Sequence, residues 1–333
     1  MTDSFQTPGY EDLELSTQIV IKEALRRGIK VEMIDRSTNL IRLQKGKHFE
    51  YVQEATKTTR TSYITSLLIN NKKASKYILN EHGIRVPEGR DYDDVKSALK
   101  DHPFFKGIKT VVKPKTTNFG IGVTILEKDF TVSAFKTALL HAFSYDTAVL
   151  VEEFIEGVEY RFLVIGDKTI GVINRVPANV IGDGKHSIQE LIKLKNKMPN
   201  RAEWCRGPLE YLLMGKTEKQ ILKGQGLSFQ SIAKKGQQIF LRHNSNLSTG
   251  GDSIDCTDTV HPQYKKIAEK ATKAVDALIC GVDVMIQDPL TPPTSQNHGI
   301  IEINDNPGLV MHNFPYKGES RNTGKYVLDL LGF

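Results

Sequence analysis

The stretch Gly299-Ile-Ile-Glu302-Ile-Asn304-Asp-Asn306-Pro-Gly308 decides how this chain is read. Alternating apolar and polar residues mark a strand, so Glu302 and Asn304 share one face and Ile301 and Ile303 the other. Just upstream, Gly281-Val-Asp283-Val-Met-Ile286 is a second strand, with Asp283 opposed in phase to Val282, Val284 and Ile286. Two carboxylates and an amide oxygen meeting from neighbouring strands form a hard-oxygen site, suited to a magnesium ion held jointly with phosphates. Either acid alone reads as a solvated strand position; the full set, with Asn-Pro-Gly behind it, favours the site.

Further upstream, Val149-Leu-Val-Glu152-Glu153-Phe154-Ile155-Glu156-Gly157-Val-Glu159-Tyr-Arg161 is an apolar strand, an acidic hinge, a glycine turn and another strand. Hinge backbone can meet an adenine edge, and a carboxylate can accept from ribose hydroxyls; a solubilising surface hairpin is the equal alternative. Lys113 ends the apolar run Thr110-Val-Val and precedes Pro114, where an ammonium can meet a phosphate as a point charge. A snorkelling strand-end lysine is the plainer reading, and Lys72, on a helix face, is weaker still. The glycine-bearing loop Thr116–Gly122 could close over phosphates. Arg242 leads into the polar loop 243–252, whose hydroxyls and Gly250-Gly251 pair can present N–H groups to an anion. Arg175 flanks a similar loop, 177–184, with less specific chemistry.

Other nucleotide signatures fail. Gly215-Lys216-Thr217 resembles the end of a phosphate loop, but Glu210 stands where its first glycine belongs. Gly120-Ile-Gly122 and Gly224-Gln-Gly226 lack the third glycine of a dinucleotide fingerprint. No Gly-x-Ser-x-Gly elbow or His-Glu-x-x-His helix occurs.

The pattern elsewhere predicts a helix from Ser16 as cap to Gly28, a strand over 30–35 and a hairpin at Lys45-Gly46. One helix is expected from Ser62 to Gly83 and another over 262–279, with Cys280 packed behind it. A helix near 322–331 closes the chain. Strands and helices mix without strict βαβ alternation, which predicts α+β packing. The 333 residues suffice for one large or two to three small domains. No apolar run approaches the roughly 20 residues of a membrane helix, and the N-terminus lacks a secretory pattern, so a cytoplasmic protein without membrane partners is expected. Cys205, Cys256 and Cys280 are too scattered for a metal knuckle and read as reduced thiols. The net charge of +6 suits an anionic partner. Basic residues are dispersed rather than blocked, so nucleotide and acidic substrate are preferred over nucleic acid.

Taken in order, Lys72, Lys113, the Glu152–Glu159 hinge, Asp283 and Glu302-x-Asn304 resemble the ATP-grasp superfamily over roughly residues 62–333. Within it the chain looks like the C-terminal module of the bifunctional glutamate–cysteine ligase/glutathione synthetase. Thr17–Ala24 and Thr58–Tyr63 extend that likeness, and 177–184 and 246–251 are similar to cyanophycin synthetase segments. The resemblance implies an ATP-grasp fold with a truncated N-terminal α/β segment (1–61) and a module over 62–333. Within the module it implies a small ATP-clasping subdomain near 106–165 and a magnesium- and substrate-binding subdomain at 166–333.

It also implies roles. Lys72 and Lys113 would contact ATP phosphates; Glu152, Glu153, Phe154 and Ile155 would line the adenine pocket; Glu159 would bind ribose. Asp283, Glu302 and Asn304 would hold two Mg²⁺ ions, with Mn²⁺ as a substitute. Arg242, with Lys113, would act in catalysis, and Arg161 and Asn246 would face substrate. The implied activity is ADP-forming joining of an acid to an amine, γ-glutamylcysteine to glycine in the family case. A different acid or amine on the same scaffold, or an ATP-binding module without turnover, are the alternatives. A homo-oligomer is left open.

Overall fold

The computed structural model describes residues 5–117, 121–203 and 206–333. Thus Asn118, Phe119 and Gly120 of the expected phosphate loop, and Cys205, lie outside the described residues.

Helix α1 (Leu15–Arg26) is followed by β1 (Lys30–Asp35), β2 (Leu40–Lys45), β3 (His48–Gln53) and β4 (Lys57–Thr58), an antiparallel sheet in sequence order. Next come α2 (Tyr63–Asn70) and α3 (Lys72–Glu81). A second sheet is built from β5 (Gly89–Tyr92), β6 (Thr110–Pro114), β7 (Thr124–Leu126) and β8 (Val149–Glu153), in the order β5-β8-β6-β7. Helices α4 (Val95–Lys100), α5 (His102–Phe105) and α6 (Val132–Phe143) accompany it. Phe105, Phe135 and Leu139 from these helices bury against Val112, Val149 and Val151.

The central sheet comes from β9 (Val158–Ile165) and β10 (Lys168–Val176), then, after an excursion, β15 (Asp252–Asp255), β16 (Ile279–Ile286) and β17 (His298–Asn304). Its order is β15-β10-β9-β16-β17, antiparallel throughout. The excursion carries β11 (Asn179–Ile181), α7 (Ile188–Asn196), β12 (Arg201–Ala202), β13 (Leu209–Glu210), α8 (Lys216–Gly224) and β14 (Gln238–Phe240), around a small core of its own. Helix α9 (Pro262–Ala274) packs on the central sheet; α10 (Val310–Asn313) and α11 (Thr323–Leu331) end the chain. Antiparallel sheets with helices set beside them are the expected α+β class.

The two faces of the central sheet explain where a site can sit. One face, with Tyr160, Phe162, Val164, Val282, Val284 and Ile286, is buried under α3 and α9. The opposite face is divided. At one end Leu163, Ile165 and Ile279 join Val20, Ile21, Ile41, Val327 and Leu331, so α1, the first sheet and α11 cover it. At the other end the same alternation presents Glu159, Arg161, Arg175 and Asp283.

Several expectations need correcting. The predicted helix from Ser62 to Gly83 is two helices. Asn71 breaks it and caps α3, its side chain accepting from the N–H of Lys73 and Ala74 at 3.2 Å. Ser16 is inside α1 and not its cap; its Oγ accepts from the Leu309 N–H at 3.1 Å. Helix α9 stops at Ala274, and Cys280 lies on β16 as a buried free thiol. Strand β9, expected in the small subdomain, hydrogen-bonds between β10 and β16 in the central sheet, while β5 joins the small sheet.

The β16–β17 pairing is irregular where the chemistry lies. Asp283 faces Glu302, but Val284 faces Ile300, leaving Ile301 as an extra residue in a bulge. Strict alternation therefore fails at this point. Ile300 and Ile303 both reach the core, and Ile301 does not share their face as alternation predicted.

Candidate active site

The site begins with a cross-strand row. Arg161, Asp283 and Glu302 are register partners on β9, β16 and β17, and so project to one side. Asn304 donates from Nδ2 to Asp283 Oδ2 at 3.3 Å. Asn304 thus touches Asp283, and Glu302 is the register neighbour of Asp283. The Asp283 carboxylate, however, is only 1% exposed and held by both arms of Arg161, with Nη2 to Oδ2 at 2.7 Å and Nε on Oδ1. Arg175 Nη2 stands 3.6 Å from Oδ2. Burial would raise the Asp283 carboxyl, but the guanidinium groups of Arg161 and Arg175 hold it below the ordinary carboxylate value. Glu302 is the open member, 37% exposed, with Lys72 Nζ at 3.5 Å.

Facing this row is a lysine cluster. Glu152, at the end of β8, points away from the small sheet's apolar core and is buried between Lys113, at 2.7 Å, and Lys76 of α3. Burial, with the Lys113 charge beside it, pushes Lys76 down to about 8 against the pull of Glu152. Burial opposes ionisation of Glu152 too, yet Lys113 and Lys76 together keep it below its ordinary value. One carboxylate thus serves two ammoniums, and positive charge is left over. A narrow cavity of about 10 Å³ between α3 and β17 is lined by Lys72, Ser75, Lys76, Ile301 and Glu302. A larger hollow of about 500 Å³ lies on α6 at Thr131, Ser133, Thr137 and His141, apart from every expected site residue.

The hinge runs between these groups. The N–H groups of Glu153 and Phe154 are given to the carbonyls of Glu88 and Lys109, at 2.8 and 2.7 Å, so these two donors are already committed. Glu153 pairs with Arg85 at 3.3 Å, and Lys109 Nζ lies 4.8 Å over the Phe154 ring. Ile155 is buried over Gly299 of β17, where any side chain would strike it. Glu159 is ion-paired with Arg175 and accepts from Ser245 Oγ at 2.6 Å.

A family model for an ATP-grasp-like domain matches residues 11–64, and one for a RimK-like ATP-grasp domain matches residues 228–318. The crystal structure of a bifunctional glutathione synthetase from Pasteurella multocida superposes with a TM-score of 0.83 at 41% identity, over 98% of this chain and 45% of that one. The chain is an ATP-grasp protein. It is 52% identical over 327 residues to the glutathione biosynthesis bifunctional protein GshAB of Clostridium perfringens, covering 98% of this chain and 42% of that protein. The Listeria innocua protein of the same description is 47% identical over 328 residues, again 98% and 42%. The ATP-grasp chain therefore spans less than half the length of these relatives.

The remaining expected residues of this ATP-grasp chain sit apart from the central row. Arg242 is ion-paired with the buried Glu218 of α8, which also accepts from the Gly215 N–H at 2.8 Å. Asn246 shapes its own loop, its carbonyl accepting from the Thr249 hydroxyl at 2.9 Å and the Gly251 N–H at 3.3 Å. That loop reaches the row through Ser245 on Glu159. Two groups escaped the sequence reading. Lys76 stands one helical turn after Lys72, a spacing that puts both on one face of α3 and could have flagged it. Arg175 was noticed only as a loop flank; its contacts with Glu159 and Asp283 follow from sheet order, which no local pattern encodes.

The ATP-grasp fold implies a nucleotide and a divalent cation. Two carboxylates and an amide suit a hard cation by donor chemistry. Among the described residues, however, no three acidic or imidazole groups converge as a cage. With Asp283 enclosed and Glu302 open, the set fits a cation shared with phosphate oxygens rather than one enclosed by protein.

Proposed function

We propose that this chain is an ADP-forming carboxylate–amine ligase that makes a peptide bond through an acyl phosphate, with γ-glutamylcysteine as acid and glycine as amine. The observation that carries this reading is the meeting of Lys72 and Lys76 with Glu302 on one narrow cavity, beside Lys113 and the buried Glu152. Ammonium groups beside carboxylate oxygens are the donor set that a triphosphate and its cation would use, and the cavity of about 10 Å³ has to widen to admit them. The 52% identity to a glutathione biosynthesis protein over 98% of this chain supports the choice of substrates.

In this mechanism Lys113 and Lys76 take the phosphate oxygens, and Lys72 approaches from Glu302. Glu153, Phe154 and Ile155 flank the base, while Glu152 orients the lysines. Glu159 accepts from the ribose. Asp283, Glu302 and Asn304 would hold Mg²⁺, or Mn²⁺ in its place, which would neutralise phosphate charge there. The substrate carboxylate attacks the γ-phosphorus and ADP departs. The amine then attacks the acyl carbon, loses a proton, and inorganic phosphate leaves. Arg161 stands on the cation side through its pair with Asp283, while Arg242, paired with Glu218, and Asn246 would reach the phosphoryl group and the substrate only if their loop moves toward the row. The acyl phosphate hydrolyses readily, so water must be excluded. For domains, we propose an ATP-clasping unit on the β5–β8 sheet and a cation- and substrate-binding unit on the central sheet.

Mass spectrometry after incubation with ATP, Mg²⁺, γ-glutamylcysteine and glycine tests the proposal. The tripeptide and ADP are expected in equal amounts. ADP formation only with another acid–amine pair would reassign the substrates, and no ADP with any pair would end the ligase reading.

A further inference from the structure

Arg161 does more than neutralise a buried acid. Its side chain crosses β16 at Gly281, where a Cβ would come within 3.1 Å of Nη1 and 3.2 Å of Cδ. The glycine leaves the room in which the guanidinium lies. From there it takes both oxygens of Asp283, with Arg161 8% and Asp283 1% exposed. Asn304 supplies another donor at 3.3 Å, and Arg175 stands at 3.6 Å. Among the described residues, then, Arg161 and Asn304 donate to this carboxylate and Arg175 stands close, and a bidentate guanidinium is the strongest such partner. Glu302, by contrast, is 37% exposed, with only Lys72 Nζ beside it at 3.5 Å among the described residues.

We infer that Arg161 is a positioning residue that closes Asp283 to a bare divalent cation, so that cation and nucleotide enter together. The inference rests on the metal-ligand reading of Asp283, Glu302 and Asn304. A bare cation meets Glu302 and an amide, and must strip a guanidinium from Asp283 to gain a second carboxylate. Triphosphate oxygens supply the missing negative charge and make that exchange favourable. The device prevents the empty site from filling with a cation that would then have to be remodelled around ATP.

The test is titration of the nucleotide-free chain with Mn²⁺, following the electron paramagnetic resonance signal of the free ion. The wild-type chain is expected to bind Mn²⁺ weakly. Arg161→Met is expected to bind it at least about tenfold more tightly, and Arg161→Lys, whose ammonium cannot hold both oxygens, to fall between. Circular dichroism checks folding, since Arg161→Met leaves a buried charge without its main partner. If that variant does not fold, Arg161→Lys decides alone. Equal or weaker Mn²⁺ binding by a folded variant overturns the inference. Glu302→Gln separates the two layers: wild-type affinity for Mn²⁺ with a non-hydrolysable ATP analogue in that variant would remove the metal reading and the closure with it.

Discussion

At the scale of single residues, the contrast between Glu302 and Asp283 sets the first prediction. Glu302 is half-exposed and contributes little packing, so Glu302→Gln should leave stability within about 0.5 kcal/mol. The same change should lower kcat by a hundredfold or more, because a neutral amide cannot hold a cation against a triphosphate. Thermal melting and steady-state ADP release measure the two effects, and near-normal turnover would contradict the metal role. Lys76 gives a second prediction. With its proton lost at about 8, and with Lys113, Lys72 and Glu152 around it, the free chain must regain that proton to bind phosphate above pH 8. Affinity for a non-hydrolysable ATP analogue should fall by up to about tenfold per pH unit above that point, and Lys76→Met should abolish this limb while weakening binding throughout. For stability the sign is opposite. From pH 8 to the ordinary lysine value the unfolded chain holds the extra proton, so raising the pH favours the folded state at this residue.

At the scale of elements, turns and caps set where the charged groups stand. Gly157 connects β8 to β9 at φ +142°, and a Cβ there would lie 2.5 Å from the Ile286 carbonyl oxygen. Gly157→Ala should cost at least about 1–3 kcal/mol from backbone strain alone, read as a lowered melting temperature. Because the turn fixes Ile155 against Glu159, it should also weaken analogue binding beyond what lost stability explains. Asn71 is the second joint. Asn71→Ala removes the cap of α3 and should cost about 1 kcal/mol, with Lys72 and Lys76, in the first turns of that helix, losing their fixed approach to Glu302 and Glu152. The expected result is a raised Kd for the analogue with catalytic turnover at saturation largely kept. A change in kcat alone would argue that α3 is not positioned by its cap.

At the scale of the whole molecule, the proposed site lies between two sheets, with α3 beside it. Ligand that bridges the small and central sheets should stabilise the chain as a unit. At a hundred times Kd the gain is about 2.7 kcal/mol. A nucleotide analogue with Mg²⁺ should therefore raise the melting temperature by several degrees, and Mg²⁺ alone should barely move it. An equal shift from Mg²⁺ alone would show that the cation site is complete without phosphate. A further whole-molecule feature is the excursion between β11 and β14. Buried Asp252 on β15 ties it to the central sheet through Arg201 and through Lys195 at 2.6 Å. Arg201 also donates to the Gly250 carbonyl at 3.2 Å, at the end of the loop whose Ser245 bonds Glu159.

What the sequence by itself determined was the shared face of Glu302 and Asn304, the apolar strands entering the hinge, and the α+β class, because each is a local periodicity of side chains. Lys113 was legible from its place after an apolar run. The tertiary structure alone decided which groups share a charge. Arg161 and Arg175 reach Asp283 only because β9 and β10 lie beside β16 in the sheet. Lys76 meets Glu152 only because α3 packs between two sheets, and Arg242 turns to Glu218 across 24 residues. The bulge at Ile301 likewise depends on pairing with β16. Local pattern reports which face a residue occupies on its own strand or helix. Which opposite charge it meets there is set by long-range packing, and in a low-dielectric interior that neighbour governs the chemistry.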